Sequence, residues 1–262
     1  MSITIITRTK NDPQITNLVN NILKIDVSYG LEVVVIDSSS QNIQYPKLDQ
    51  IIVIRKDESM FNAKLLGLSQ AKYDKVLFLD SDQLIEKQVL DEIEQTNFDA
   101  FLIKERSANK NLMGKILDWQ RKDVENYSFR NDFDPRIPAV PRAFSKHALT
   151  EIGLDNFNDV SSSHEDSIFY HAVYPKLSNI KISKNYILNY DPSLLSFIKK
   201  SYIYGRSVSG IYKREKTKVL NQQQKIIKEL NQSYIKMYTK FVSPGFIAFI
   251  VRAIPYILGA YL

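Results

Sequence analysis

The 262-residue chain contains no cysteine, three histidines and one tryptophan. The missing cysteine excludes disulfide scaffolds, thiolate zinc sites and cysteine nucleophiles. Three histidines (His147, His164 and His171) are too few for a multi-histidine metal cage, so a bound metal would sit on carboxylates, which suits Mg2+ or Mn2+. Glycine is scarce, at eight residues, and none lies in the Thr7–Asp12 segment, where a glycine-rich phosphate loop would be expected after a first strand. Long apolar runs are scarce too. The only one is Phe241–Leu262, and Pro244, Gly245, Arg252, Pro255 and Gly259 interrupt it. A central arginine costs roughly 2.5–3.5 kcal/mol on insertion into a bilayer, so an interfacial helix or helical hairpin is expected rather than a span. The N-terminus enters a strand pattern directly, with no signal-peptide signature.

Hydrophobic residues make up 44% and charged residues 24%, which fits a globular chain with a sizeable core. The net charge of +6 is unevenly spread. Residues 1–174 carry 20 Lys and Arg against 26 Asp and Glu, whereas residues 175–240 carry 14 against 3. A basic C-terminal third calls for an anionic partner, such as a membrane surface, a lipid phosphate or nucleic acid. The plainer alternative is a solvated helical face.

The first half alternates strand and helix signals. Ser2–Thr7 is β-branched, and Leu31–Asp37 and Lys75–Leu79 are continuous apolar runs of the kind buried on both faces of a parallel sheet. Ile51–Ile54 and Ala100–Ile103 are shorter strands. Helical spacing marks Pro13–Ile25, Ser59–Ala71 and Glu86–Gln95. Such alternation predicts βαβ units and a mainly parallel α/β sheet. Further on, helices are expected over Leu112–Asn126, Ser145–Ile152, Asp166–Val173, Ser193–Lys213 and Lys218–Phe241, with one or two strands in Ile180–Tyr190. Arg130–Arg142 reads as a loop with one short strand, and Leu154–Ser163 as an acidic loop.

Three constellations carry chemistry. The first is Asp80-Ser81-Asp82, directly after a buried strand. Ligands of open α/β sheets bind at the carboxyl ends of strands, where two acids at i and i+2 can turn toward one hard cation. The plainer alternative is a helix N-cap, with Ser81 or Asp82 capping the helix that follows. The second is His164-Glu165-Asp166, which supplies a carboxylate able to take a proton from a hydroxyl. Its plainer role is to complement a helix dipole. The third is Thr7-Arg8-Thr9-Lys10-Asn11-Asp12, a basic polar loop before a helix N-terminus, suited to nucleotide or phosphate. There Asp12 can also cap the helix, with Pro13 in its first turn.

In this order the segments resemble the inverting GT-A glycosyltransferases of the large family that contains many polysaccharide and lipid-linked sugar transferases. The similarity lies in IITRTKND, VVVIDSSS, NAKLLGLSQAKYDKVLFLDSD, HEDSIF and NYDPSLLSFIKKSYIYGRS, and covers most of residues 1–210. It implies a GT-A fold, Rossmann-like, over residues 1–192, while the charge and apolar patterns mark a basic helical extension over 193–240 and a membrane-associating tail over 241–262. It implies a nucleotide-diphosphate sugar donor, UDP- or GDP-linked, with Thr7, Arg8, Thr9 and Asp37 toward the nucleoside. Mn2+ or Mg2+ would sit on Asp82, with Asp80 acting through water or ribose. Lys64 and Arg142 are candidates for the diphosphate or an acidic acceptor. Asp166 would be the catalytic base and Glu165 its neighbour.

The pattern departs from the family in three places. Leu65 stands where asparagine is common. No histidine precedes the Pro-Ser helix, which makes Asp191 a candidate third oxygen ligand. Pro138–Phe144 has no glycine where an acceptor loop usually has several. The basic cluster Lys199, Lys200, Arg206, Lys213, Arg214, Lys216 and Lys218, interleaved with tyrosines, points to peripheral attachment at the cytoplasmic leaflet and a lipid-linked glycan acceptor. Homo-oligomerisation stays open. The competing readings are a nucleotidyltransferase of related fold, disfavoured by the missing glycines, and a nucleic-acid-binding protein using the basic C-terminus, which would need neither Asp82 nor Asp166.

Overall fold

A computed structural model of the chain describes residues 2–129, 139–150, 164–213, 218–240 and 243–261. The acidic loop 154–163, residues 130–138 and the side chains of Lys213, Arg214, Lys216 and Lys218 lie outside the described residues. Internal contacts divide the chain into two units. One comprises residues 1–105, 141–154 and 175–189, and the other 106–140, 155–174 and 190–262.

The first unit is built on eight strands: β1 (Ser2–Thr9), β2 (Gly30–Asp37), β3 (Ile51–Arg55), β4 (Lys75–Asp80), β5 (Gln83–Leu84), β6 (Ala100–Ser107), β7 (Ala143–Ser145) and β8 (Ile180–Asn189). They form one sheet in the order β3-β2-β1-β4-β7-β6-β8-β5. The pairs β2–β3, β1–β2 and β1–β4 are parallel. These are the strands whose apolar runs predicted burial on both faces, and Ile3, Ile5, Val33, Val35, Leu77 and Leu79 form the centre of the core. Beyond β4 the sheet becomes mixed, because β7 pairs antiparallel with β4 and β6, and β5 with β8. The expectation of a mainly parallel sheet therefore describes the first four strands. β5 and β7 span only two and three residues, too short to show a period.

Helices α1 (Gln14–Leu23), α2 (Met60–Gln70), α3 (Lys87–Gln95) and α5 (Lys146–Thr150) belong to this unit. α1 buries Ile15, Leu18, Val19 and Ile22 along one face, as its spacing predicts. α2 starts at a Ser59 N-cap, whose hydroxyl accepts from the Asn62 N–H at 3.2 Å. It buries Phe61, Ala63, Lys64, Gly67 and Leu68, whereas Leu66, expected on the core side, is only half-buried. The absent side chain of Gly67 lets α2 settle on β1, since a Cβ there would stand 2.3 Å from Cγ2 of Ile6.

The second unit is helical among the described residues: α4 (Leu112–Phe129), α6 (Glu165–Val173), α7 (Leu194–Lys213), α8 (Lys218–Lys240) and α9 (Gly245–Tyr261). α6 is held through Ile168, which clusters with Ile226 and Leu230 of α8. α7 and α9 run in the same direction. Phe197 clusters with Ala248 at one end, and Gly205 abuts the Tyr256 carbonyl at the other. Cβ atoms on Gly205 or Gly259 would come within 1.9 and 2.1 Å of partner backbone oxygens. Among the described residues no helix is long and apolar enough to cross a membrane.

Candidate active site

The parallel strands bring the first and third sequence motifs to one sheet edge. Thr9 is the register partner of Asp37 on β2, and Arg8 that of Asp80 on β4. The β1–α1 loop, the end of β2 and the end of β4 are therefore neighbours, at the carboxyl edge where open α/β sheets bind ligands. Ser81 ties two of these together by donating to Asp12 Oδ2 at 2.6 Å. Asp12 also accepts from the Gln14 N–H at 3.0 Å, so it does serve the start of α1.

Thr7, Arg8, Lys64 and Asp80 line one small pocket with Met60 and Phe78. The Thr7 side chain is buried, and its hydroxyl has no hydrogen-bond partner among the described residues. A buried polar atom left in that state costs roughly 1–3 kcal/mol, so an oxygen or nitrogen of a ligand would relieve it. Lys64 is buried in α2, its ammonium 6.0 Å from the Phe78 ring centroid. Arg8 turns toward α2, donating to the Glu58 carbonyl at 3.0 Å and approaching Met60 Sδ at 3.0 Å.

Asp37 is buried, and its carboxylate holds the loop that follows β2. It accepts from the Ser39 N–H at 2.9 Å and the Tyr45 hydroxyl at 3.2 Å, with Arg55 at 3.8 Å. Burial first, then the Asp37 charge, push the Tyr45 hydroxyl well above the usual phenol range, so it stays a donor.

Around Asp80 lies a closed circuit of polar side chains. Arg142 Nη1 donates to Asp80 Oδ2 at 3.0 Å, while its Nε and Nη2 donate to Glu105 Oε1 at 2.9 and 2.7 Å. Glu105 Oε2 accepts from the Asn189 amide at 3.2 Å. Asn189 Oδ1 accepts from the Gln83 amide at 2.9 Å, and Gln83 Oε1 accepts from the Asp80 backbone N–H at 2.9 Å. Gln83 and Asn189 are direct partners across β5 and β8, and both are buried. The Arg142 backbone is fixed on both sides, donating to Phe101 O at 3.1 Å and accepting from Phe78 N at 2.9 Å. Nothing in the sequence links Glu105, Asn189 and Gln83 to Asp80. They are single polar residues on separate strands, and only sheet pairing brings them together.

Oxygen donors at Asp80 and half-buried Asp82 suit a hard divalent cation. No group of three or more His, Asp or Glu among the described residues is placed to hold a metal ion. A cation here would need oxygens from a ligand to complete its shell. This matches a metal that enters with a diphosphate, as Mg2+ commonly does.

The second unit carries the remaining expected residues. At the start of α6, Glu165 is buried and Asp166 half-exposed, which makes Asp166 the more accessible carboxylate. Both lie in the first turn of the helix. His164, immediately before, shares a 3.0 Å hydrogen bond with the Tyr256 hydroxyl of α9. Desolvation, then the charge of Arg252, push His164 down to about 4, so its ring is neutral at physiological pH. Asp191, the candidate third oxygen ligand, is held by an arginine. Its carboxylate is only 3% exposed and pairs with both terminal nitrogens of Arg121, at 2.5 and 3.1 Å. Its backbone N–H donates to Asn109 Oδ1 at 3.1 Å. A bidentate arginine pair is geometrically favoured and leaves this carboxylate engaged within the helical unit.

No family model matches the chain, and no curated protein matches it. Solved structures do. TarS 1-349 from S. aureus superimposes with a TM-score of 0.55 at 19% identity, covering 100% of this chain and 81% of that one. The same S. aureus protein in complex with UDP-GlcNAc gives 0.53 at 18%, covering 92% and 73%. The mannosyltransferase PcManGT from Pyrobaculum calidifontis, in complex with GDP-Man and Mn2+, gives 0.53 at 16%, covering 98% and 82%. At these identities the likeness is one of architecture, and the chain has the GT-A glycosyltransferase fold.

Proposed function

We propose that this chain is a glycosyltransferase that moves a sugar from a nucleotide-diphosphate donor to a hydroxyl acceptor. The observation that carries the reading is the placement of Asp80 and Asp82 at the end of β4, on the same sheet edge as Thr7, Thr9 and Asp37, within the GT-A fold. Binding of UDP-GlcNAc by one neighbour, and of GDP-Man with Mn2+ by another, supports the donor class. In this reading the unpartnered Thr7 hydroxyl and the segment around Thr9 and Asp37 receive the nucleoside. Asp80, Asp82, Lys64 and Arg142 receive the diphosphate. Mn2+ or Mg2+ bound at Asp82 and Asp80 would offset charge on the leaving diphosphate.

Asp166 is the base of this scheme. It takes the proton from the acceptor hydroxyl as that oxygen bonds to the anomeric carbon and the bond to the diphosphate breaks. One displacement inverts the anomeric centre. Most of the rate would come from positioning and fixed charge.

The acceptor is a lipid-linked glycan in this proposal, met at an anionic membrane face. Support comes from α9, whose exposed side chains Phe246, Ile247, Ile250, Ile254, Ile257 and Leu258 are all apolar and, at helical spacing, form one stripe. Exposed Lys199, Lys200 and Arg206 on α7 add positive charge to the same unit. Attachment would be peripheral, on the cytoplasmic leaflet.

The test is a thermal-shift series against UDP- and GDP-sugars with and without Mn2+, for the native chain and Asp82→Asn. A ligand at a hundred times its dissociation constant stabilises by about 2.7 kcal/mol. The expected outcome is a Mn2+-dependent shift with one nucleotide class, lost in Asp82→Asn. No shift with any sugar nucleotide would overturn the reading.

A further inference from the structure

The circuit around Asp80 does more than brace a strand end. Arg142 is a fixed cation seated on the carboxylate that the donor reading assigns to a metal and diphosphate. Its side chain is 13% exposed, against 37% for Asp80 and 25% for Glu105, so the guanidinium is the most enclosed of the three. Glu105 grips it through two nitrogens, and Asn189 and Gln83 fix Glu105 in turn and return to the Asp80 backbone. A guanidinium held in this way keeps its charge at any attainable pH and gives up little conformational freedom when it binds.

We propose that Arg142 is the resident counter-cation of Asp80 and competes with the divalent metal for it, so that metal binds well only together with the nucleotide diphosphate. Two opposing charges decide the balance. A lone divalent cation must displace or share space with Arg142 and pays for their mutual repulsion, with few carboxylates to compensate. A metal–diphosphate pair brings its own negative charge, which Arg142 can then face. Glu105 is the positioning residue that keeps the guanidinium in reach in both conditions. The inference rests on the donor reading but concerns the order in which its parts bind.

The experiment titrates the native chain and its variants with Mn2+ alone, following free Mn2+ by electron paramagnetic resonance, and melts each variant to confirm folding. Arg142→Gln should bind Mn2+ alone roughly tenfold more tightly than the native chain, because one positive charge has left a site with two nearby carboxylates. Arg142→Met keeps the apolar stem and should behave alike, which guards against a fold-specific failure of the glutamine. Arg142→Lys keeps the charge and should stay weak. Glu105→Gln, which leaves Arg142 to Asp80 alone, should not gain affinity. A merely structural role would weaken binding in all four. Unchanged or weaker Mn2+ binding in folded Arg142→Gln and Arg142→Met overturns the proposal. If those variants gain metal but no sugar nucleotide stabilises the native chain, the competition stands and the donor reading fails. If nucleotides bind and the variants gain nothing, the competition alone fails.

Discussion

Arg252 lays its guanidinium over the ring of Phe197, 5.5 Å from the centroid. The one charge in the apolar C-terminal stretch therefore faces the interior of the helical unit, stacked on an aromatic face. On sequence alone this arginine opposes a span and fits an interfacial helix. Its placement leaves the outer stripe of α9 free of charge.

That stripe predicts its own disruption. Ile250→Glu combined with Ile254→Glu should abolish sedimentation with phosphatidylcholine vesicles containing phosphatidylserine, because burying each isoleucine contributes about 1.5–3 kcal/mol. Both positions are exposed, so the melting temperature should change little. Undiminished vesicle binding by the double variant would remove α9 from the docking face.

Asp166→Asn separates binding from chemistry. The donor-dependent thermal shift should persist while sugar transfer falls by at least about a hundredfold, the lower range for loss of a general base. Full turnover in this variant would reassign the base. Glu165→Gln, at a buried position, is expected to lower stability as well as rate.

His164 gives stability a pH dependence. Its folded value of about 4 lies below the ordinary 6.5, so the unfolded chain binds the proton more readily. The contribution of the neutral ring is complete above pH ~6.5 and declines as pH falls toward ~4, by roughly 3 kcal/mol in total. Denaturant unfolding at several pH values should show this slope in the native chain and a flatter one in His164→Gln. An equal slope in both would place the dependence elsewhere.

Two glycine replacements should act with opposite sign. Gly67→Ala drives a methyl into Ile6 and should cost about 1–3 kcal/mol. Gly210→Ala, in α7, meets nothing within 4 Å among the described residues and should stabilise by about 0.4–1 kcal/mol through helix propensity and a less flexible unfolded chain. Paired denaturation curves decide it, and destabilisation by Gly210→Ala would mean the site is not open.

What the sequence revealed follows from the range of the interactions involved. β1, β2 and β4 are legible because strands buried on both faces read as apolar runs, and Asp37 and Asp80 stand out as the acids that end two of them. The Asp12 contact to α1 was legible as local chemistry. The circuit through Gln83, Glu105, Arg142 and Asn189 was not, because it depends on the sheet order β4-β7-β6-β8-β5 and on strands of two and three residues. The pairing of Asp191 with Arg121 was not legible for the same reason, since nothing near Asp191 in sequence announces a partner seventy positions away. The tyrosines of the basic third read as interfacial, but Tyr238 is buried and packs its ring beside Phe246 and Phe249.

The backbone-to-backbone seam at Gly205 and Gly259 changes the status of the last helix. A segment that resembles an appended tail in sequence is a structural stave of its unit, and the two glycines have no side chains with which to close the gap if it is removed. Deleting residues from Ser243 onward would bare Phe197 and the Gly205 surface, so such a truncation would report on collapse of the helical unit. Single replacements on the outer stripe leave the seam intact and are the cleaner way to ask what α9 touches.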